Sequence, residues 1–380
     1  MTAVGRDRPA GSGAATSLAN RVEPADRARS AQRPEGIEAR RDGHDPKPRL
    51  QRLASLDVTR GLALVILLLA GNPFLREHLP AQLKHPGWHG LSFADLFFPL
   101  FLFVVGVAMT LSRRAGSTRL VLRRTGLLLV VGIAISSFKH GEVHLTGVLQ
   151  HIAGAYLLAW LVTRAPRRMQ VPIATAILAA IWAGFLLWAD PGSDPWGEDG
   201  SFAHAVNGWL IGGFSTEGVL QTVTSSVSVL GGAFVGRAVK ERRDPRELLL
   251  RVAGHAIWLI GAGLLLALLV PINKRLWTPS YTVLTIGTSC AFFAFFIWVV
   301  DIHRRVGWVT PMRELGANPI AVYVGFIVVR ALIDDYSASV PALAPFGSDT
   351  AGALVYSSAW LFAGWLFARW LYRRRVFLRL

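Results

Sequence analysis

Cysteine is almost missing from this chain: Cys290 is the single one, so no disulfide can form within it. Its setting, "GTSCAFFAFF", is an apolar run, which marks a buried structural thiol rather than a nucleophile. Acidic residues are scarce as well, 24 against 40 Lys and Arg. Residues 190–209, "DPGSDPWGEDGSFAHAVNGW", contain no Lys or Arg at all. The first fifty residues have almost no large apolar side chains and cannot bury enough surface to offset the entropy of ordering, so a disordered basic cytoplasmic tail is expected at 1–50. That stretch also has no apolar core followed by a small-residue cleavage site. A secretory signal peptide is thereby excluded, and the first apolar run is expected to serve as an uncleaved targeting signal. The second half does not echo the first in motifs or loop lengths, which argues against the inverted repeats of many transporters.

What the chain does have is apolar length. Runs occur near 57–71, 92–112, 120–137, 145–163, 171–189, 217–237, 248–270, 280–300, 315–334 and 351–371, suited to crossing about 30 Å of hydrocarbon as helices. The first and third are short for that thickness. The fold expected is all-α: a polytopic integral membrane protein of about ten transmembrane helices, with residues 51–380 as one transmembrane domain. The basic residues then sort by loop. Arg113, Arg114, Arg119, Arg123 and Arg124 follow the second run; Arg164, Arg167 and Arg168 the fourth; Arg237, Lys240, Arg242, Arg243, Arg246 and Arg251 surround the sixth-to-seventh connection. Arg304, Arg305 and Arg313 follow the eighth, and Arg373, Arg374 and Arg375 the last. Every second loop is basic, so the excess reflects topology and not nucleic acid, and both termini are expected on the cytoplasmic side. The lipid bilayer expected around the chain is a plasma membrane, a bacterial inner membrane by the chain's character.

Sorting by side gathers polar residues at the expected outer ends: Asn72, His85, His89 and Asp95; Glu142, His144, Gln150 and His151; Glu217; Asn273, Lys274, Trp277 and Tyr281. Each has a bland structural role available. Asp95 suits the cap of the second helix, Glu217 a helix N-terminus after Thr216, and Lys274 a snorkelling anchor. Their convergence from four hairpins favours a site, because ionisable groups at the edge of hydrocarbon pair with something or do something. On the inner side, Asp57 and Arg60 are spaced for an internal ion pair, and Asn318 precedes Pro319, which starts or kinks a helix. The paired inner arginines are topological determinants with a second capacity, holding phosphates.

The series "SLDVTRGLAL", "HPGWHGLSFADLFFPLFLFVVG", "GVLQHIAGAYLL", "STEGVLQTVTSSVSVLGGAFVG", "PINKRLWTPSYTVLTIG" and "GANPIAVYVG" resembles, in order and spacing, the heparan-α-glucosaminide N-acetyltransferase family and its bacterial relatives, from residue 52 onward. The resemblance implies an enzyme that takes acetyl from acetyl-CoA as co-substrate on the cytoplasmic side and gives it to an amino sugar or other glycan outside, with no metal. It implies that His85 is catalytic and that Asn72 supports it. Candidate substrate contacts are Trp88, Gln150, Glu217, Asn273, Lys274 and Trp277; candidate contacts to the donor are Arg113, Arg114 and Asn318. The chain departs from the family pattern at His151, where Arg is usual, at Ser215-Thr216 in place of Asp-Pro, and at Ala317 in place of Met.

The residue types suit that chemistry on their own terms. An amine attacking a thioester must lose a proton, and an imidazole, which in model peptides titrates near 6.5, accepts one near neutral pH. His85 is equally suited to carrying the acyl group itself. Asp95 is a candidate to orient the ring, and Asn273 and Lys274 are candidates for acceptor hydroxyls or a developing oxyanion. His89 has no role beyond loop structure in this reading. A proton-coupled secondary transporter is the alternative, since Asp, Glu and His in a ten-helix bundle also describe a carrier. If the nucleotide stays inside while His85 lies outside, the pantetheine arm has to thread a polar tunnel, with Pro99 and Pro319 as places where the helices open.

Overall fold

The structure, a computed structural model, describes residues 53–70, 78–112, 116–241, 244–305, 307–337 and 350–377. The expected tail at 1–50 lies outside these residues, as do Asn72, Arg113 and Arg114. Described elements are helical throughout, with no strand among them. In chain order they are α1 (Ala54–Ala70), 3-10 turns at Ala81–Leu83 and Phe93–Leu96, α2 (Phe97–Leu111), α3 (Thr118–His140), α4 (Val148–Arg164), α5 (Arg167–Trp188) and the short α6 (Phe202–Ile211). Then follow α7 (Val219–Glu241), α8 (Pro245–Leu266), α9 (Pro279–Phe296) with its π-helical end Ile297–Ile302, α10 (Thr310–Ala317), α11 (Pro319–Ser337) and α12 (Thr350–Arg373).

Local chemistry sets several of these ends. Asp244 caps α8 by accepting from the Arg246 amide, with Pro245 at the first helical position and Glu247 in the first turn. Gly141 ends α3 in the left-handed conformation at φ 74°. The third apolar run, short in sequence, becomes a 23-residue helix because its basic flank Thr118–Arg124 and its end at His140 are helical too.

Seven described helices are long and apolar enough to cross a membrane, and an eighth crossing results if α10 and α11 count as one broken span. α1 and α4 have 17 residues each, which rise about 26 Å and fall short of a full hydrocarbon core. Between α10 and α11 the chain turns by 85°. Pro319 cannot donate a helical hydrogen bond there, and the Asn318 side-chain amide instead donates to the Val376 carbonyl at 2.9 Å, tying the corner to the C-terminal segment. Pro99 behaves differently: it sits in the first turn of α2 and breaks nothing.

α2, α7 and α9 form the centre and are mostly buried, while α3, α5, α8 and α12 present Leu, Val, Ile and Trp outward. α2 and α7 cross so closely that a Cβ on Gly106 would strike the Val229 carbonyl and one on Gly232 the Phe103 carbonyl. Glycine is required at that crossing because only its absent side chain lets the two backbones meet. The thiol of Cys290 is packed in this centre at 1% exposure. The tight α2–α7 crossing fixes the start of α2, and the start of α2 carries Asp95.

Candidate active site

At the end of the bundle where α2, α7 and α9 begin, three segments meet: the chain before α2, the loop before α9, and the region between α5 and α7. Ser92 opens the 3-10 turn, and its backbone amide and hydroxyl both donate to Asp95 Oδ2 at 2.9 Å. This reciprocal capping fixes the carboxylate. The other oxygen, Oδ1, then faces His85 Nδ1 at 2.6 Å and Lys274 Nζ at 3.1 Å. Asp95 is therefore both the cap of the second helix and the partner of His85, one oxygen for each task. Its side chain has no exposure, while those of His85 and Lys274 are 33% and 26% exposed. The Tyr281 hydroxyl, from α9, donates to the Asp95 backbone carbonyl at 2.7 Å and locks the turn from below.

Charge decides how the ring is held. A carboxylate that already accepts from Ser92 and Lys274 accepts from His85 as well, so Nδ1 carries a proton, and in the neutral ring Nε2 carries the lone pair. Lys274 Nζ lies 3.3 Å from Nδ1 and 3.4 Å from Nε2. These near-equal distances put the ammonium beside the ring, and its directed bond goes to the shorter, charged acceptor Asp95 Oδ1. A basic imidazole nitrogen with an ammonium alongside is an arrangement that can take a proton and stabilise a developing oxyanion in one place.

The loop before α9 explains why Lys274 is there. Asn273 is fully buried; its Oδ1 accepts from the Leu276 amide at 2.9 Å, its backbone carbonyl from the Thr278 amide at 3.1 Å, and its own amide donates to Thr278 Oγ1 at 3.1 Å. Asn273 thus winds the turn that aims Lys274 at Asp95. Its Nδ2 also reaches His89 Nδ1 at 3.3 Å, and His89 Nε2 is 4.0 Å from Asp194 Oδ2. Trp88 Nε1 donates to the Trp196 carbonyl at 2.7 Å, and the Gly90 amide donates to the Ile272 carbonyl at 2.9 Å. The long acidic loop is thereby pinned over the centre. α6 joins the same assembly: Asn207 Oδ1 accepts from the Val219 and Leu220 amides at the start of α7, and Gln221 donates to the Arg275 carbonyl.

Of the residues expected in the site, His85, Asp95, Lys274, Asn273 and Trp88 are brought together. Trp277 is adjacent but only 1% exposed, so it forms the floor and not an open contact. Gln150 donates to Ser136 Oγ and the Thr146 carbonyl, both at 3.2 Å, at the start of α4. Glu217 accepts from Thr216 Oγ1 at 2.8 Å ahead of α7. Neither makes a contact with the His85 cluster. Asn318 lies at the 85° corner, with its amide spent on Val376. His89, given no role in sequence, belongs to the site through Asn273 and Asp194; it sits four residues after His85, and an irregular loop hides any spacing signal. Among the described residues no group of three or more His, Cys, Asp or Glu side chains is placed to hold a metal ion.

These features define a multi-pass helical membrane protein with a histidine–carboxylate–lysine centre at the mouth of its bundle. A sequence model described as heparan-alpha-glucosaminide N-acetyltransferase, catalytic, matches residues 52–191, the part that contains His85 and Asp95. The heparan-alpha-glucosaminide N-acetyltransferase of Mus musculus is 25% identical over 371 residues, 73% of this chain and 54% of that protein. The Homo sapiens protein of the same name is 26% identical over 366 residues, 72% of this chain and 52% of that protein. The chain is thus similar to the heparan-α-glucosaminide N-acetyltransferases, and it spans about half the length of these curated relatives.

Proposed function

We propose that this protein is a transmembrane N-acetyltransferase that moves an acetyl group from acetyl-CoA on the cytoplasmic side to an amino sugar or other glycan on the opposite side of the membrane. The observation that carries the reading is the 2.6 Å contact between His85 Nδ1 and the fully buried Asp95, which leaves Nε2 as the basic nitrogen. The relatives' names supply the reaction class, and the alternation of basic loops supplies the sidedness, with both termini cytoplasmic and about ten crossings.

In the reaction, the acceptor's unprotonated amine attacks the thioester carbon and a C–N bond forms. His85 Nε2 takes the amine proton while Asp95 holds the imidazolium, and Lys274 stabilises the negative charge on the former carbonyl oxygen. The tetrahedral species collapses, the C–S bond breaks, and the leaving thiolate recovers the proton from His85. If Nε2 attacks the thioester first, the same geometry serves an acetyl-imidazole, and the amine then displaces the ring. His89 and Asp194 border the approach, and an acidic loop lacking Lys and Arg suits a cationic amino-sugar acceptor, which loses its ammonium proton to solvent before the free amine attacks.

The test is transfer of labelled acetyl from acetyl-CoA to amino-sugar acceptors by the purified full chain. His85→Ala is expected to lower the rate by at least about 1,000-fold, near the upper range of acid–base contributions. Undiminished transfer in that variant would remove His85 from the mechanism, and absence of transfer in the unaltered protein would remove the reaction.

A further inference from the structure

Beneath the His85 centre lies a second cluster, fully buried, that the reaction above does not use. Trp277 packs edge-on against Tyr281 with ring centroids 5.4 Å apart, and Tyr281 is the residue that holds the Asp95 carbonyl. On its other side Trp277 meets His151 of α4 at 5.0 Å and Phe98 of α2 at 5.6 Å, and Phe98 meets His151 at 5.2 Å. His151 and Trp277 are 0% and 1% exposed. Trp277 also holds a left-handed backbone, φ 53°, which a bulky side chain adopts only where its surroundings impose it.

The hydrogen-bond inventory of this cluster does not close. The Ser225 hydroxyl is aimed at the Thr222 carbonyl at 3.1 Å and lies 2.6 Å from His151 Nε2; with its proton on that carbonyl it accepts from Nε2–H. In that tautomer His151 Nδ1 is a bare acceptor. Among the described residues Nδ1 has no partner, and neither has the donor Trp277 Nε1–H. A third buried group without a partner, the Ser228 hydroxyl, lies on α7 one turn beyond Ser225. Leaving such groups unsatisfied is costly, and an acceptor and a donor orphaned in adjacent rings are complementary to one shared hydrogen-bonding group.

We propose that His151 and Trp277 form a buried two-point binding site for one small group that accepts a hydrogen bond from Trp277 Nε1–H and donates one to His151 Nδ1. Two sources have that chemistry: an ordered water, and a secondary amide of the pantetheine arm on its way to His85. The second source rests on the acetyl-CoA reading of the preceding section; the first does not. In either case the site sets the position of Trp277, and through Tyr281 the position of Asp95. His151 and Trp277 are positioning residues for the reaction.

The test is a structure of the full chain in lipid nanodiscs at a resolution that shows ordered water, without ligand and with coenzyme A. The expected result is density within about 3.2 Å of both nitrogens. A peak present without coenzyme A and unchanged by it identifies water; a peak that becomes part of the pantetheine arm identifies the amide. No density within hydrogen-bond reach of both atoms in either state overturns the proposal. Trp277→Phe and His151→Phe should each abolish the peak, whereas His151→Asn, which keeps an acceptor near the Nδ1 position, should retain it; a peak that survives Trp277→Phe also overturns it. With the amide as source, Trp277→Phe raises KM for acetyl-CoA about five-fold, while kcat falls by less because phenylalanine keeps a ring against Tyr281. Because the density needs no turnover, a bridged site in a protein that transfers no acetyl would sink the transferase reading and leave this one standing.

Discussion

The two ends of this helical bundle differ in how tightly their charges are shared. At the His85 end, a carboxylate with no exposure is shared among Ser92, His85 and Lys274, and the loop that delivers Lys274 is wound by a buried asparagine. At the far end, where α1 and α8 begin and α7 and α12 finish, the ion pairs are longer and only one is exposed; the Asp57 and Glu314 side chains are buried, at 6% and 8% exposure. Arg167 and Glu241 stand 3.4 Å apart at 77% and 50% exposure, Arg60 and Asp57 are 3.8 Å apart, and Arg369 and Glu314 are 3.7 Å apart. A charge buried without redundancy is costly to place and is seldom kept for stability alone, while exposed pairs contribute little and serve orientation. What distinguishes the His85 end is convergence: Ser92, His85 and Lys274 all reach the one carboxylate of Asp95 within 3.1 Å, whereas each far-end ion pair is 3.4 Å or longer.

Substitutions at each end should keep that distinction, in descending size. Asp95→Asn retains a polar cap but presents an amide to His85 and favours the wrong ring tautomer, so kcat for acetyl transfer is expected to fall about 100-fold or more with protein still folded, checked by steady-state assay beside size-exclusion profiles. Lys274→Met leaves the aliphatic stem and removes the ammonium; a kcat loss of roughly 100-fold, with little change in acceptor KM, is expected from one lost oxyanion partner. Equal kcat in that variant would reassign Lys274 to packing. At the other end, Asn318→Ala frees the Val376 carbonyl and should cost about 1 kcal/mol, seen as a melting point lower by a few degrees with kcat unchanged. Arg167→Ala should alter stability by less than about 0.5 kcal/mol, and a larger loss would show that the exposed pair matters more than its accessibility implies.

The same contrast governs what could be read in the sequence. Apolar runs and basic loops are local signals, and each of the ten runs falls on a helix; the seven helices that pass as spans and the broken α10–α11 pair show where length and composition stop deciding topology. The corner at Pro319 was legible because proline removes a backbone donor, whereas Pro99 gave no opening because the first turn of a helix needs none. In the site, His85, Asp95 and Lys274 were legible as candidates, but their meeting depends on loops 189 residues apart that only tertiary packing aligns. Asn273 and Trp277, expected as ligand contacts, are buried as the winding and the floor of the site, because sequence does not reveal how far inside a polar residue lies. Gln150 and Glu217 share the expected side of the membrane with His85, yet Gln150 bonds to Ser136 near the end of α3 and Glu217 to the adjacent Thr216 hydroxyl.

The central claim is that His85 and Asp95 act as one unit in acetyl transfer, and a double-substitution cycle measured on labelled acetyl transfer tests it most directly. With His85→Ala in place, adding Asp95→Asn should lower the residual rate no further, since an orienting carboxylate has no ring left to orient. Losses that multiply, with Asp95→Asn costing as much in the absence of His85 as in its presence, would contradict the account.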